Sequence, residues 1–225
     1  MLTPLQILRQ RNLAAGKPAA LTSAQKGGII TVAAAFSMTM LGVYADEGGY
    51  VNDKTDRGGE TNYGVTIATA RAAGYLGPMR DFPKHCYNQS VCADKIYNER
   101  YVQRPGFLPM YAIEPAIADK LVNTGINMGP SWPTSWFQLA IVAGGVKVST
   151  DAKMGPRTVA AYRALQAKHG KVKACHIVLD ALIAGQKRRY ANIIAANPSQ
   201  AKYRRGWNNR ANAVHRDWCG RGEAA

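Results

Sequence analysis

Three carboxylates and a hydroxyl stand close together in the chain: Glu47, Asp53, Asp56 and Thr61, separated by six, three and five residues. A carboxylic acid facing a second carboxylate or a held water is the machinery that hydrolyses a glycosidic bond. The acid of such a pair needs apolar surroundings that keep it protonated, and an opening onto a cleft. Glu47 meets both needs on paper. It follows a long apolar run, where the negative pole of a helix end disfavours ionisation, and two glycines follow it, so a sugar can approach the backbone closely. Asp53 and Asp56 fall on a turn-rich stretch, and a carboxylate that caps nearby amides of its own turn is the plainer reading of Asp53.

The elements that would position these residues can be read outward from them. Asp46 is the first acidic residue of the chain, and the 19 residues between Lys26 and Asp46 are all uncharged. As a helix they span roughly 28 Å, about the thickness of a bilayer's hydrocarbon core. The run is rich in Ala, Gly, Ser and Thr and would partition into lipid weakly. Phe36, Met40, Leu41 and Tyr44 share one helical face, which equally suits a core helix of a soluble protein. Both readings stand: 27–45 is a signal-anchor, or a buried helix. Residues 1–26 carry Arg9, Arg11, Lys17 and Lys26 with no acid, a basic arm with a short helix from Thr3-Pro4 to Leu8.

Residues 50–69 alternate turn formers (Asn52, Asp53, Asp56, Gly58, Gly59) with short β-branched pieces, which predicts a small hairpin. Beyond it the pattern is helical: Ser90–Arg104, a helix opened by Pro115, another from Ser131 to Ala143 capped by Ser131 with Pro133 in its first turn, one begun by Pro156, and one over 174–196 stopped by Asn197-Pro198. A last basic helix is expected from about Gln200 to Trp218. The predicted fold is mainly α, a helical bundle with one small β-hairpin near the acidic centre.

The chain has a formal net charge of +15. Residues 27–167 hold thirteen bases against eleven acids, while Lys168 to the end holds twelve against three. The positive ends favour an anionic partner, either a bacterial envelope or a phosphate backbone. No nucleic-acid motif is present, and the acidic centre would repel a phosphate chain, so a non-catalytic nucleic-acid- or envelope-binding helical protein is the second reading. The four cysteines lack Cys-x-x-Cys spacing, and His85 beside Cys86 is not a zinc spacing. Disulfides Cys86–Cys92 and Cys175–Cys219 are the favoured pairing, with reduced buried thiols as the alternative. No metal and no cofactor is expected. His85, His169, His176 and His215 read as surface or loop residues, Trp136 as core, Trp132 as a sugar-stacking or core residue, and Trp207 and Trp218 as packing for the last helix.

The stretch Glu47 to Thr66, EGGYVNDKTDRGGETNYGVT, closely resembles the signature of the glycoside hydrolase family 108 N-acetylmuramidases of phage endolysins and related lysozymes. The Glu-Gly-Gly-Tyr motif, the Asn-Asp pair, the Asp-x-Gly-Gly turn and the Thr-Asn-Tyr-Gly run are all present. Lys54 and Arg57 stand where that family often has proline, a departure in turn stiffness. Asn127-Met128-Gly129-Pro130, Met154-Gly155-Pro156-Arg157-Thr158 and Arg205-Gly206-Trp207-Asn208-Asn209-Arg210 resemble later parts of the same family.

The resemblance implies hydrolysis of the β-1,4 bond between N-acetylmuramic acid and N-acetylglucosamine, with Glu47 as general acid and Asp56, ahead of Asp53, as second carboxylate beside Thr61. It implies substrate contacts from Tyr50, Asp53, Asn62, Tyr63 and Asn127. It further implies a mainly α, α+β lysozyme-like fold with the β-hairpin at the active-site cleft, a catalytic lobe over 46–130 and a peptidoglycan-binding-like lobe over 131–225. With the arm and weak apolar helix, the expectation is a monomeric endolysin of the signal-arrest-release type. It would be made in the cytoplasm of a bacterial host, associate transiently with the inner membrane and reach the periplasm.

Overall fold

A computed structural model of the chain describes residues 30–47, 49–52 and 59–222, with residues 45–47 described by backbone alone. The basic arm, Asp53 and Asp56 lie outside the described residues, as does the side chain of Glu47. Helix α1 runs Val32–Glu47. It begins where Thr31 Oγ1 accepts the amide of Ala34 at 3.2 Å, an N-cap on an alanine-rich run of good helix formers. Its inner face is Ala35, Met40 and Val43. Leu41, expected on that face, is 41% exposed. The apolar run has no polar side to mark an outside, so neighbours choose the face. Among the described residues, no helix is long and apolar enough to cross a membrane.

Next comes a two-stranded antiparallel hairpin, β1 Thr61–Asn62 and β2 Val65–Thr66. Tyr63 and Gly64, the two turn residues, both have positive φ (51° and 72°), the turn whose twist matches a hairpin. Thr66 then caps the short α2, Ile67–Ala72, through its Oγ1. Helix α3, Ala93–Asn98, continues into a π-helical turn Glu99–Gln103. Together these pieces fill the expected Ser90–Arg104 span. A short α4, Leu108–Ile113, follows.

The larger bundle comprises α5 Pro115–Met128, α6 Ser131–Ala143, α7 Pro156–His169 and α8 Lys171–Ala196. Three of the four open within a residue or two of a proline, whose missing N–H suits a first turn. Ser131 is the first helical residue rather than the cap, because the chain is already helical at Pro130. The expected last helix is broken into a 3₁₀ turn Pro198–Tyr203, α9 Arg204–Asn212, and a 3₁₀ turn Arg216–Trp218. The break lets fully buried Trp218 and the Cys175–Cys219 disulfide pin the tail against α8. The fold is mainly α with one small hairpin.

Two apolar clusters hold these elements. The larger draws Phe107, Tyr111, Ile117 and Leu121 together with Phe137, Tyr162, Leu179 and Trp218, from both sides of residue 130. The smaller gathers Met40, Val43, Val65, Met79, Phe82, Ile96 and Tyr97 around the hairpin. A buried polar thread stiffens the bundle between them. Lys120 Nζ donates to Gln186 Oε1 at 2.7 Å and to the Ala211 carbonyl at 2.8 Å. Burial pushes the Lys120 ammonium down to about 8, the direction expected for a desolvated cation.

The tail closes the other end. Glu114 sits between α4 and α5, fully buried. Its Oε1 accepts the amide of Gly220 at 2.9 Å. One residue later, the Arg221 carbonyl accepts the amide of Ile30 at 2.8 Å. The start of α1, the start of α5 and the C-terminal strap are therefore fastened at one point.

Candidate active site

The last turns of α1 are placed by Tyr44, one turn before Glu47. Its ring meets Tyr63, His85 and Tyr97 edge-on, at centroid distances of 6.3, 6.2 and 5.9 Å. The Lys84 ammonium stands 4.1 Å from its centre, a cation–π contact. The Tyr44 hydroxyl donates to Asp94 Oδ1, and the other oxygen of Asp94 pairs with His85 Nδ1 at 2.7 Å. Burial, then the charge of Asp94, raises the Tyr44 hydroxyl far above the ordinary phenol range, so it stays a donor. The Cys86–Cys92 disulfide closes the loop between His85 and Asp94. A crosslink thus holds a His–Asp pair, the pair holds Tyr44, and Tyr44 anchors the helix that ends in Glu47.

The hairpin lies against the same cluster. Thr61 pairs with Val51 through two backbone bonds of 2.9 Å, which carries the chain from the Glu-Gly-Gly-Tyr segment onto β1. Tyr63 keeps its left-handed φ because the Tyr97 hydroxyl donates to its carbonyl at 2.9 Å; a bulky residue so placed marks a strained spot. Asn62 is buried, and its amide nitrogen donates to the carbonyls of Met79 and Arg80 at 2.9 and 3.1 Å. It fastens the hairpin to that turn. The Arg80 guanidinium stands 5.4 Å from the Tyr50 ring centre.

Asn127 comes from the far end of α5. Ile126, its neighbour, packs into the cluster of Met40, Val43 and Tyr44. The ends of α1 and α5 are therefore on one side of the molecule, as their starts are on the other. Asn127 is held by the polar thread: Gln186 Nε2 donates to the Tyr190 hydroxyl at 2.9 Å, and that hydroxyl donates to Asn127 Oδ1 at 2.7 Å. The described residues thus bring the α1 terminus, Tyr50, Thr61, Tyr63 and Asn127 to one side, with Asn62 behind the hairpin.

Sequence reasoning passed over Tyr44, Lys84, His85, Asp94 and Tyr97 as site-building residues. One signal was available for two of them, since His85 and Asp94 flank the short Cys86–Cys92 loop. Nothing in the sequence marked Glu114, which burial pushes up to about 7 against the opposing hydrogen bonds from Gly220, Tyr162 and Gln166. Glu114 lies within 4.8 Å of the sulfurs of Cys175 and Cys219. Both sulfurs are joined in the disulfide, which leaves one ligand where a metal needs several.

Comparisons with known proteins match two stretches of the chain. Residues 40–129 match the family model described as "Glycosyl hydrolase 108", and residues 132–212 match that described as "Predicted Peptidoglycan domain". The solved structure of Brucella abortus SagA is similar with a TM-score of 0.53 and 23% identity, over 78% of this chain and 88% of that one. That likeness is one of fold. A comparison with curated proteins finds no match.

Proposed function

We propose that this chain, whose residues 40–129 match the glycosyl hydrolase 108 family, is an N-acetylmuramidase. At the coarser level it is a glycoside hydrolase that degrades peptidoglycan, given the peptidoglycan domain that follows the hydrolase segment. The bond we assign is the β-1,4 link from N-acetylmuramic acid to N-acetylglucosamine.

In this reading Glu47 gives its proton to the glycosidic oxygen as the C1–O bond breaks. Asp56, with Thr61 beside it, takes a proton from the water that adds at C1. The same reading assigns Asp53, Tyr50, Tyr63 and Asn127 as sugar contacts. Asn127, with its Oδ1 taken by Tyr190, offers its NH₂ to a sugar carbonyl or hydroxyl. The observation that carries the proposal is the fixing of the α1 terminus. The clamp from Cys86–Cys92 through Asp94 fixes Tyr44, one turn before Glu47, in a helix whose C-terminal pole favours the protonated form of a carboxyl there. Preorganisation of this kind is what a general acid requires.

The proposal extends to the setting. The basic arm and residues 27–45 act as a signal-anchor that later leaves the inner membrane and packs as α1. The enzyme would thereby reach the periplasm of its bacterial host as a monomeric endolysin. Mass spectrometry of digested peptidoglycan tests the activity. Fragments ending in reducing N-acetylmuramic acid are expected, and fragments ending in reducing N-acetylglucosamine, or cut peptides with intact glycan, contradict it. Fractionation tests the setting: a protein confined to the cytosol refutes the signal-anchor.

A further inference from the structure

The turn of α8 that holds Asn127 also carries an arginine with no role in the site described so far. Arg189, adjacent to Tyr190, lays its guanidinium over the ring of Trp132 at 4.4 Å. Its Nε is buried and has no partner among the described residues. Trp132 stands in the first turn of α6, five residues beyond Asn127, and is 41% exposed. Its seat is built into the fold. Trp136, at 5.9 Å and 40° from Trp132, lies so close to α8 that a Cβ at Gly185 would sit 2.3 Å from its ring. Only a residue without a side chain lets the tryptophan pair dock there. The result is an indole with one face on a cation and substantial exposed surface, held by the same turn of α8 that holds Asn127.

An exposed indole face stacks on the flat apolar side of a pyranose. A guanidinium beside it pairs with a carboxylate, and Arg is the side chain best shaped for that. A plain chitin-type chain offers sugars and no carboxylate. Peptidoglycan offers both, through its stem peptides or, where these are removed, the lactyl group of muramic acid. We infer that Trp132 and Arg189 form a distal subsite that binds a sugar ring of the glycan strand together with a carboxylate attached to it. This rests on the peptidoglycan reading above and adds a selectivity that the catalytic residues do not supply: preference for carboxylate-bearing glycan over neutral glycan.

The test measures binding of the full chain by calorimetry to three soluble ligands: glycan strands with stem peptides, strands stripped of peptide by an amidase, and N-acetylglucosamine oligomers. Trp132→Ala should weaken binding to all three, roughly tenfold, as for truncation of a buried aromatic anchor. Arg189→Gln should weaken binding by a similar factor only where a carboxylate is present, and Arg189→Lys should recover part of it. Loss on peptide-bearing strands alone assigns the stem carboxylates, loss on stripped strands alone assigns the lactyl carboxylate, and loss on both assigns a site that accepts either carboxylate.

Thermal unfolding checks that the variants fold, and Trp132→Phe, with an intermediate loss, replaces the alanine variant if that one does not. Equal losses for Arg189→Gln on charged and neutral ligands overturn the subsite, as does unchanged binding for both variants. So does a Trp132→Ala effect confined to self-association, given that Leu139 and Val142 are exposed on the same helix. Wild-type release of reducing muramic acid ends is recorded in parallel. Its absence counts against the muramidase reading, whereas its presence with variant-indifferent binding counts against the subsite alone.

Discussion

Replacing Glu114 by glutamine should make the protein more stable at pH 8 while leaving it nearly unchanged at pH 5. The carboxyl is fully buried and pushed from its ordinary value of 4.5 up to about 7 by burial, although Gly220, Tyr162 and Gln166 all hydrogen-bond to it. The folded state therefore keeps a proton that the unfolded chain releases between pH 4.5 and 7. Stability falls as pH rises through that window, and the deficit is complete above about 7. The difference between 4.5 and about 7 corresponds to roughly 3 kcal/mol. Glutamine cannot ionise, and its Oε1 can still accept the Gly220 amide, so the variant escapes the deficit. In a chain of this size, roughly 3 kcal/mol moves the melting temperature by about 6–12 °C. Urea or thermal unfolding of both proteins at pH 5 and pH 8 reads it directly. Identical pH dependence in the two proteins, or a glutamine variant less stable at pH 8, would refute the reasoning.

The two disulfides should contribute unequally. Cys175–Cys219 spans 44 residues and Cys86–Cys92 spans 6, so loop closure gives about 4 and about 2 kcal/mol respectively, measurable by calorimetry of the paired Cys→Ser variants. The short loop should matter more for activity, because opening it frees the His85–Asp94 pair that holds Tyr44; the Cys86/Cys92 variant should lose turnover at a temperature where it is still folded. Asp56→Asn should lower turnover by about 10²–10⁴-fold, in the range of a lost general acid or base, and Asp53→Asn by less. The reverse order in a reducing-sugar assay transfers the second catalytic role to Asp53.

Much of the fold was legible because its signals are local. Pro115, Ser131 and Pro156 mark helix starts within a residue, Asn197-Pro198 marks a stop, and the favoured cysteine pairing is the one the structure holds, in place of reduced thiols. What escaped depends on distant partners. Glu114 meets Gly220, Tyr162 and Gln166, which lie 106, 48 and 52 residues away, and no window of sequence shows that carboxylate to be buried. The last helix breaks because Trp218 and Cys219 must turn back onto α8. The outward face of Leu41 is set by the packing of α1 on α5, since a helix apolar all round carries no preferred side. The hairpin beside the candidate site was legible where a motif names it. Asn62 is one of the motif's residues, yet its amide holds the hairpin from behind, a distinction that residue identity does not carry.

The proposed role of Glu47 is that of proton donor in a muramidase. The most direct measurement is the release of reducing N-acetylmuramic acid ends from purified peptidoglycan by wild type and by Glu47→Gln, with unfolding curves run alongside. Release by the wild type and essentially none by the variant is expected, with both proteins equally folded. Muramic acid ends released by Glu47→Gln at a rate near that of the wild type would contradict it.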